Sequence, residues 1–470
     1  MAINRGADME FPKGKFLNWF EENEESILRD FFHFLGFSSI SADSIYKEEC
    51  LKTANWLAFR LEQLGFNSQL LLSPGLPVVF AKTGKEGSPS VLLYHHYDVQ
   101  PVDPIELWAS NPFQPKLENG KVFARGASDN KGQCFISLTV LKALQHITLP
   151  KDLQIKLFIE GEEESGGAGT EVVIQNHQDL LKADSLCVID FDLPDQDTPA
   201  ISMGYRGIVA FHVDCINAQT DLHSGIHGGI ALNPNRILVE LLSKLWDENG
   251  FITIPHFYDG VGTLSVEEKE KFDLSFDEEL YRKEFGVGAF SKELGVGPKE
   301  ACWLRPTLEI NGIWGGYTGE GFKTVIPGSA HAKLSCRLIG DQDPHIIAQN
   351  LTKFLRAHTP VGAEIQVSCH HGAKAFRSSF NAPLTKVVTS SLEEVFGKKC
   401  QYSLCGGSVP IVSQLAEAVG GDVALFGFAL ATDNVHAPNE HFRWSCFKKG
   451  FLSLAKILWE LSLQEKYAGK

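Results

Sequence analysis

Short apolar runs alternate with longer segments of helical periodicity over much of the chain. The apolar runs cover residues 90–94, 153–159, 185–189 and 423–428, and helical segments include residues 134–144 and 447–463. Short runs that are apolar throughout are typical of strands buried on both faces of a sheet. Their alternation with helices predicts an α/β fold in which a mostly parallel sheet carries helices on both faces.

The pattern changes from about Gly207 onward. Residues 208–213 and 308–310 have strand character, residues 332–338 alternate between apolar and polar, and residues 235–245 follow a helical period. The segment 261–300 is rich in charge and glycine, which predicts helix and loop on the surface. We therefore predict an α+β domain over residues 206–381, inserted into a catalytic domain made of residues 1–205 and 382–470.

Composition and charge narrow the functional classes. A formal net charge of -15 without a basic run disfavours nucleic acid and anionic lipid as partners. The sequence contains neither an apolar run long enough to cross a bilayer nor the pattern of a signal peptide at its start. The ten cysteines include no C-x-x-C pair, which favours reduced thiols. These features predict a cytoplasmic protein without a membrane or nucleic-acid partner.

Polar residues follow the first predicted strand directly, in the sequence YHHYD at residues 94–98. In an extended chain the side chains of His96 and Asp98 point to the same side, whereas His95 points away. A histidine and a carboxylate at this spacing suit a metal ligand and the group that fixes its ring. Alone, such a pair is more often an ordinary polar loop.

Further carboxylates and a histidine flank the other predicted elements. The flanking groups are Asp129 ahead of the helix at 134–144, the acidic loop EGEEE at 160–164, Asp190 after the third strand, and His436 beyond the last strand. Each has a simpler explanation, such as a helix N-cap or a solvated turn. Because the carboxyl ends of parallel strands meet at one edge of a sheet, their joint occurrence favours a common site.

This set of side chains suits divalent metal ions. Imidazole and carboxylate together favour zinc, with cobalt or manganese as alternatives. Two such ions about 3.5–4 Å apart need a shared carboxylate and lower the pKa of a water toward neutrality. One of the adjacent glutamates can bind metal while its neighbour takes the proton of the water. Motifs of serine hydrolases, single-zinc proteases, nucleotide hydrolases and dinucleotide oxidoreductases do not occur in the sequence.

In order and spacing, these residues resemble the dinuclear metallopeptidase family of the carnosine-type dipeptidases, aminoacylase and succinyl-diaminopimelate desuccinylase. The resemblance is greatest to the dipeptidase branch, through YHHYDVQP at 94–101, DLHSG at 221–225 and NGIWGGY at 311–317. It implies a homodimer with two divalent ions per subunit that hydrolyses an amide bond in a dipeptide or small peptide. The inserted domain is then a lid and dimerisation unit.

The resemblance also implies roles for individual residues. Asp129 would bridge the two metals, and the remaining ligands would be His96 and Asp190 at one ion and Glu164 and His436 at the other. Glu163 would be the general base, and Asp98 would orient His96. A second acid, Asp192, lies close to Asp190, and the choice between them rests on the alignment to Pro194 and Pro199.

Residues of the inserted domain and one later segment match positions that contact the substrate. His223 matches a histidine that reaches the active site of the partner subunit and stabilises the oxyanion. Thr324, Arg337 and Ser408 match substrate-binding positions, and the arginine would hold the substrate's carboxylate.

One departure from the family pattern keeps an alternative open. Where the dipeptidases have Arg-Glu before Gly-Gly-Ser, this chain has Leu404 and Cys405. The glutamate helps bind the substrate's free amine in carnosinase-like members, so hydrolysis of an acylated amino acid by the same site is the second hypothesis. The third, an inactive binding or scaffold protein, is disfavoured because every implied ligand and the base are present.

Overall fold

The computed structural model describes residues 10–262, 264–291 and 293–464. They form two compact units. Unit 1 contains the described parts of Met1–Met203, Ser378–Ser403 and Gln414–Lys470, and unit 2 those of Gly204–Arg377 and Leu404–Ser413. Leu404–Ser413, which the sequence analysis placed in the first domain, thus groups with unit 2, where Gly406 and Ser408 hydrogen-bond to Arg206 and Arg337.

The strands in chain order are β1 (Asn67–Leu71), β2 (Val78–Thr83), β3 (Ser90–His96), β4 (Lys116–Glu118), β5 (Lys121–Phe123), β6 (Gln154–Glu160), β7 (Ser185–Ile189), β8 (Asp192–Leu193), β9 (Ala200–Tyr205), β10 (Gly207–Ile216), β11 (Leu222–His223), β12 (Thr307–Gly315), β13 (Val325–Ile326), β14 (Ser329–Leu338), β15 (Glu364–Ala373), β16 (Phe376–Arg377), β17 (Gln401–Cys405), β18 (Asp422–Phe426), β19 (Ala429–Leu430) and β20 (His441–Arg443).

The α-helices are α1 (Lys13–Leu35), α2 (Lys47–Gln63), α3 (Lys131–Leu144), α4 (Ala168–Asn176), α5 (Gln178–Leu181), α6 (Ser224–His227), α7 (Pro234–Leu242), α8 (Val266–Lys269), α9 (Glu278–Phe285), α10 (Pro298–Leu304), α11 (Pro344–His358), α12 (Pro383–Phe396), α13 (Pro410–Val419) and α14 (Trp444–Leu463). Among the described residues, none of the helices combines the length and the apolar character that crossing a bilayer requires.

The main sheet of unit 1 has the strand order β1-β2-β6-β3-β7-β18-β9. Its centre, β6-β3-β7-β18, is parallel, and the strands on either side are antiparallel. The predicted mostly parallel α/β sheet is therefore confirmed. The first predicted strand continues to His96, so a polar residue ends a strand whose interior is buried.

Helices cover the sheet of unit 1, so its central strands are buried along nearly their whole length. Helix α3 packs on β3 and is in turn covered by α1 and α14, which explains why nearly all of its side chains are buried. Aromatic rings fill this layer; Phe31, for example, stacks on Phe135 with ring centroids 5.2 Å apart. Burial of each such ring contributes roughly 1.5–3 kcal/mol.

Unit 2 is built on an antiparallel sheet with the strand order β12-β14-β10-β15. Alternate residues of β10 are buried, and its inward side chains pack with those of helices α7 and α11. The outward residues, which include His212 and Asp214, lie on the opposite face of the sheet. The described parts of 261–300 form short helices and loops that are mostly exposed, as predicted.

Candidate metal centre

Several polar side chains of unit 1 lie where its parallel strands end. His96 is the last residue of β3 and pairs with Glu160, the last residue of β6, so the two strands end side by side. Glu163 and Glu164 follow in the short 3₁₀ turn Glu163–Ser165. Asp190 comes directly after β7. The parallel register therefore gathers these residues at one edge of the sheet.

Asp129 lies at the centre of this group, just ahead of α3. One of its carboxylate oxygens, Oδ1, is 3.0 Å from Nε2 of His96, and the other, Oδ2, is 2.9 Å from Nε2 of His436. His96 Nε2 is also 3.7 Å from Asp190 Oδ2, and His436 Nε2 is 3.2 Å from Glu164 Oε2. The five predicted ligands thus form two groups of three that share Asp129, with ligand atoms within 4.8 Å of one another in each group.

The charge of this region also favours cations. Burial raises the pKa of Asp190 well above its usual value, and the neighbouring carboxylates of Asp129 and Glu163 add to the shift while His96 opposes it. Burial likewise raises the pKa of Glu163 to about 8. The positive charge of His96 lowers this pKa, whereas the negative charge of Glu164 raises it further. Carboxylates held this closely away from water are costly unless cations balance them. The imidazole nitrogens and carboxylate oxygens of this region are atoms of the type that bind divalent ions.

Asp98 holds the ring of His96. The Nδ1 atom of His96 is 3.1 Å from the Asp98 backbone oxygen and 3.2 Å from Asp98 Oδ1. The other carboxylate oxygen of Asp98 accepts hydrogen bonds from the Ser41 hydroxyl at 2.6 Å and from the Glu164 backbone N–H at 3.0 Å. Asp98 therefore contacts both the histidine and the acidic turn, an arrangement that is typical beside metal-binding histidines.

Glu440, which the sequence analysis assigned no role, fixes the loop that carries Asp129. Its buried carboxylate accepts hydrogen bonds from the backbone N–H groups of Gly126, Ser128 and Asp129 at 2.8, 2.9 and 3.1 Å. It also pairs with the guanidinium of Arg125 at 2.9 Å. The only sequence signal was an acid four residues beyond His436, because its partners lie more than 300 positions away.

Asn130 fixes the carboxylate of Asp190. Its side-chain amide donates to the backbone oxygen of Ile189 at 2.8 Å and to Asp190 Oδ1. Its amide oxygen contacts His95 Nδ1 at 3.0 Å, so His95 points away from His96, as the alternation of an extended chain predicts. Burial lowers the pKa of His95 to about 3, which keeps this ring neutral. Asp190, and not Asp192, belongs to the clustered groups.

The remaining predicted site residues belong to unit 2. The Arg337 guanidinium donates to the Ser408 hydroxyl at 2.7 Å, and this hydroxyl donates to the backbone oxygen of Arg206. His223 and Thr324 are exposed, and their segments adjoin: His223 pairs with Val325 across β11 and β13. Unit 2 therefore brings its four residues together as two pairs, Arg337 with Ser408 and His223 with Thr324.

Comparison with known proteins places the chain among peptidases. Residues 92–460 match the model of peptidase family M20/M25/M40. The human Beta-Ala-His dipeptidase is 30% identical over 395 residues, which cover 81% of this chain and 78% of the relative. The Cys-Gly metallodipeptidase dug1 of Schizosaccharomyces pombe is 27% identical over 447 residues, or 90% of this chain and 93% of the relative.

A solved structure agrees with these relatives. The M20 family metallo-carboxypeptidase Sso-CP2 from Sulfolobus solfataricus has 32% sequence identity and a TM-score of 0.82, and the match covers 93% of this chain and 99% of that one. The family that the motifs predicted is thus confirmed, together with the expectation of an enzyme that hydrolyses amide bonds. From its residues, its fold and these relatives, the chain belongs to peptidase family M20/M25/M40.

Proposed function

We propose that this protein is a metal-dependent exopeptidase that hydrolyses dipeptides or other small peptides at a centre of two divalent ions. The observation that carries the proposal is the position of Asp129, whose carboxylate oxygens each contact a different histidine. A carboxylate shared in this way is what two adjacent ions require. The printed names of the relatives, a Beta-Ala-His dipeptidase and a Cys-Gly metallodipeptidase, support dipeptides as substrates.

The ligand set would divide around Asp129, with His96 and Asp190 at one ion and Glu164 and His436 at the other. Its mixture of imidazole and carboxylate favours zinc, with cobalt or manganese as alternatives. When bound, the ions supply polarisation of the scissile carbonyl and a lower pKa for the attacking water.

Glu163 is the residue that takes the proton of this water in the proposed reaction. It directly precedes the proposed ligand Glu164 in the same 3₁₀ turn, yet it belongs to neither ligand group. Burial raises its pKa to about 8. A carboxylate beside the attacking water can take its proton and then pass it to the leaving amine. Glu163 would therefore act first as base and then as acid.

Unit 2 would recognise the substrate and act as the lid and dimerisation domain. Among the described residues, Arg337 forms no salt bridge, so its guanidinium is available for the carboxylate of a substrate. Ser408 would hold the guanidinium in place, and Thr324 would add a further contact. His223 would stabilise the oxyanion in a homodimer. Its side chain is exposed, as it must be to reach the active site of a partner subunit.

We also propose that the enzyme is located in the cytoplasm.

A second candidate activity is the hydrolysis of N-acylated amino acids. It is favoured by Cys405, which stands where the dipeptidase pattern has a glutamate for the substrate's free amine. A thiol does not provide the negative charge that an ammonium group needs. The carboxylate site at Arg337 would serve both substrate classes equally.

A panel of substrates tests both proposals. Free dipeptides, N-acetylated amino acids and dipeptides with an amidated C-terminus should each be assayed with zinc, cobalt and manganese. Hydrolysis of free dipeptides that is lost on amidation is the expected result, because amidation removes the charge that Arg337 would bind. Preference for the N-acetylated compounds would favour the second candidate. No hydrolysis by metal-loaded protein would contradict both.

A further inference from the structure

A second group of histidine and aspartate side chains lies on the face of the unit 2 sheet that is turned away from its core. His212 and Asp214 are alternate residues of β10, so their side chains share the face that is turned away from the core. His331 on the neighbouring strand β14 lies directly opposite Asp214 in the antiparallel register. Two imidazoles and one carboxylate are thus brought together by strand pairing alone.

The three side chains contact one another through a single carboxylate oxygen. Asp214 Oδ1 lies 3.0 Å from His212 Nε2 and 2.5 Å from His331 Nδ1. One ligand atom from each residue lies within 4.8 Å of the others. An ion about 2.0–2.2 Å from each donor needs donor separations of about 3 Å or slightly more. Small rotations of the side chains provide this spacing.

Neighbouring side chains hold the ring of His331 in place, and the group as a whole remains accessible to solvent. Ser329 Oγ contacts His331 Nε2 at 3.1 Å, and the indole of Trp314 stacks on the same ring at 5.3 Å. A hydrogen bond to the second ring nitrogen is typical of metal-binding histidines. The side chains of His212, Asp214 and His331 are 26–28% exposed, so an ion can enter from water.

We propose that His212, Asp214 and His331 form a binding site for a divalent transition metal, separate from the ligand groups around Asp129. Two imidazoles and a carboxylate suit zinc and its neighbours in the transition series. Three protein ligands leave at least one coordination position for water or for an anionic group. Lys333 lies opposite His212 on this face, but its side chain is exposed and can turn into solvent.

Zinc binding by the full-length chain tests the site independently of catalysis. In an Asp129→Ala background, which removes the ligand shared by the two groups of unit 1, about one tightly bound zinc ion per chain should remain after dialysis. Adding His331→Gln or Asp214→Asn should lower the affinity for this ion at least about a hundredfold, because loss of an outer partner alone costs 10–100-fold. Equilibrium dialysis with zinc gives both quantities.

His256 supplies the matched control, because it also contacts an aspartate, Asp259, at 2.9 Å in unit 2 but belongs to none of the metal-binding groups found among the described residues. His256→Asn in the same background should leave zinc binding unchanged. Circular dichroism checks that each variant is as folded as the Asp129→Ala parent, which the outward position of His331, Asp214 and His256 leads us to expect. Equal zinc binding with and without His331→Gln and Asp214→Asn would overturn the proposal.

Discussion

The two groups of metal-binding side chains are constructed in opposite ways. The group around Asp129 takes its residues from strand ends and loops that are distant in sequence, and buried partners such as Asp98 and Glu440 hold it. The group around Asp214 takes its residues from two adjacent strands, and its side chains are partly exposed. The first therefore depends on the whole of unit 1 being folded, whereas the second depends on the register of one strand pair.

This difference has an energetic consequence. Buried charges must be satisfied by hydrogen bonds or ions, so each partner of the Asp129 group is costly to remove. Water can replace a lost partner at the exposed group around Asp214. Substitution of a residue that supports the ligands, as distinct from a ligand itself, should therefore have a large effect in unit 1 and a small one in unit 2.

The largest effect is expected from Asp129→Ala. Both ligand groups of unit 1 lose their shared carboxylate, so both ions should be lost and kcat/KM should fall about 10³-fold or more, the equivalent of several kcal/mol of transition-state stabilisation. Metal analysis and steady-state kinetics on free dipeptides measure this. If the variant kept two zinc ions and its activity, the shared role of Asp129 would be wrong.

Glu163→Gln should separate chemistry from metal binding in the same group. The amide cannot take the proton of the water, so turnover should fall at least about 10²-fold while the zinc content stays the same. Glu162→Gln is the matched control, since the Glu162 side chain is directed toward Gly75 and Gly169. Normal turnover in Glu163→Gln would remove the proposed base.

Glu440→Gln tests whether buried partners hold the Asp129 group in place. The amide N–H of the new glutamine would face the backbone N–H groups and Arg125, which are themselves donors. We therefore expect zinc affinity to fall about 10–100-fold. The free energy of unfolding should fall by about 3–5 kcal/mol. Glu118→Gln, which breaks only an exposed pair with Lys116, should change stability by less than about 1 kcal/mol. Equal effects of the two substitutions in chemical denaturation would argue against this role.

The smallest effect is expected from Ser329→Ala in unit 2. It removes the hydrogen bond to His331, but water can reach the ring, so zinc affinity at this group should fall by less than about tenfold. Dialysis in the Asp129→Ala background measures it. A loss as large as that from His331→Gln would show that this group is as dependent on its partners as the one in unit 1.

The central strands and the clustering of the proposed ligands could be predicted from the sequence because their signals are local. Runs such as 185–189 are almost entirely apolar, and β7 occupies these same residues. Carboxylates that follow such strands must meet at one sheet edge when the strands are parallel. The position of Asp190 therefore followed from a strand end, whereas that of Asp129 rested on its place just ahead of a helix and on the family resemblance.

The supporting residues could not be predicted because their partners are distant in sequence. Glu440 lies 312 positions from Ser128, and Ser41 lies 57 positions from Asp98. The role of a polar residue in a loop depends on what the fold places beside it. The group around Asp214 was missed for a different reason: His331 faces Asp214 only once the register of β10 and β14 is known.

The central claim is that side chains of unit 1 hold two ions around one shared aspartate. Anomalous X-ray diffraction at the zinc absorption edge, from crystals of the zinc-loaded protein, tests it most directly. The expected result is a pair of peaks about 3.5–4 Å apart on the two sides of the Asp129 carboxylate. A single peak, or none, beside Asp129 in fully loaded protein would contradict the claim.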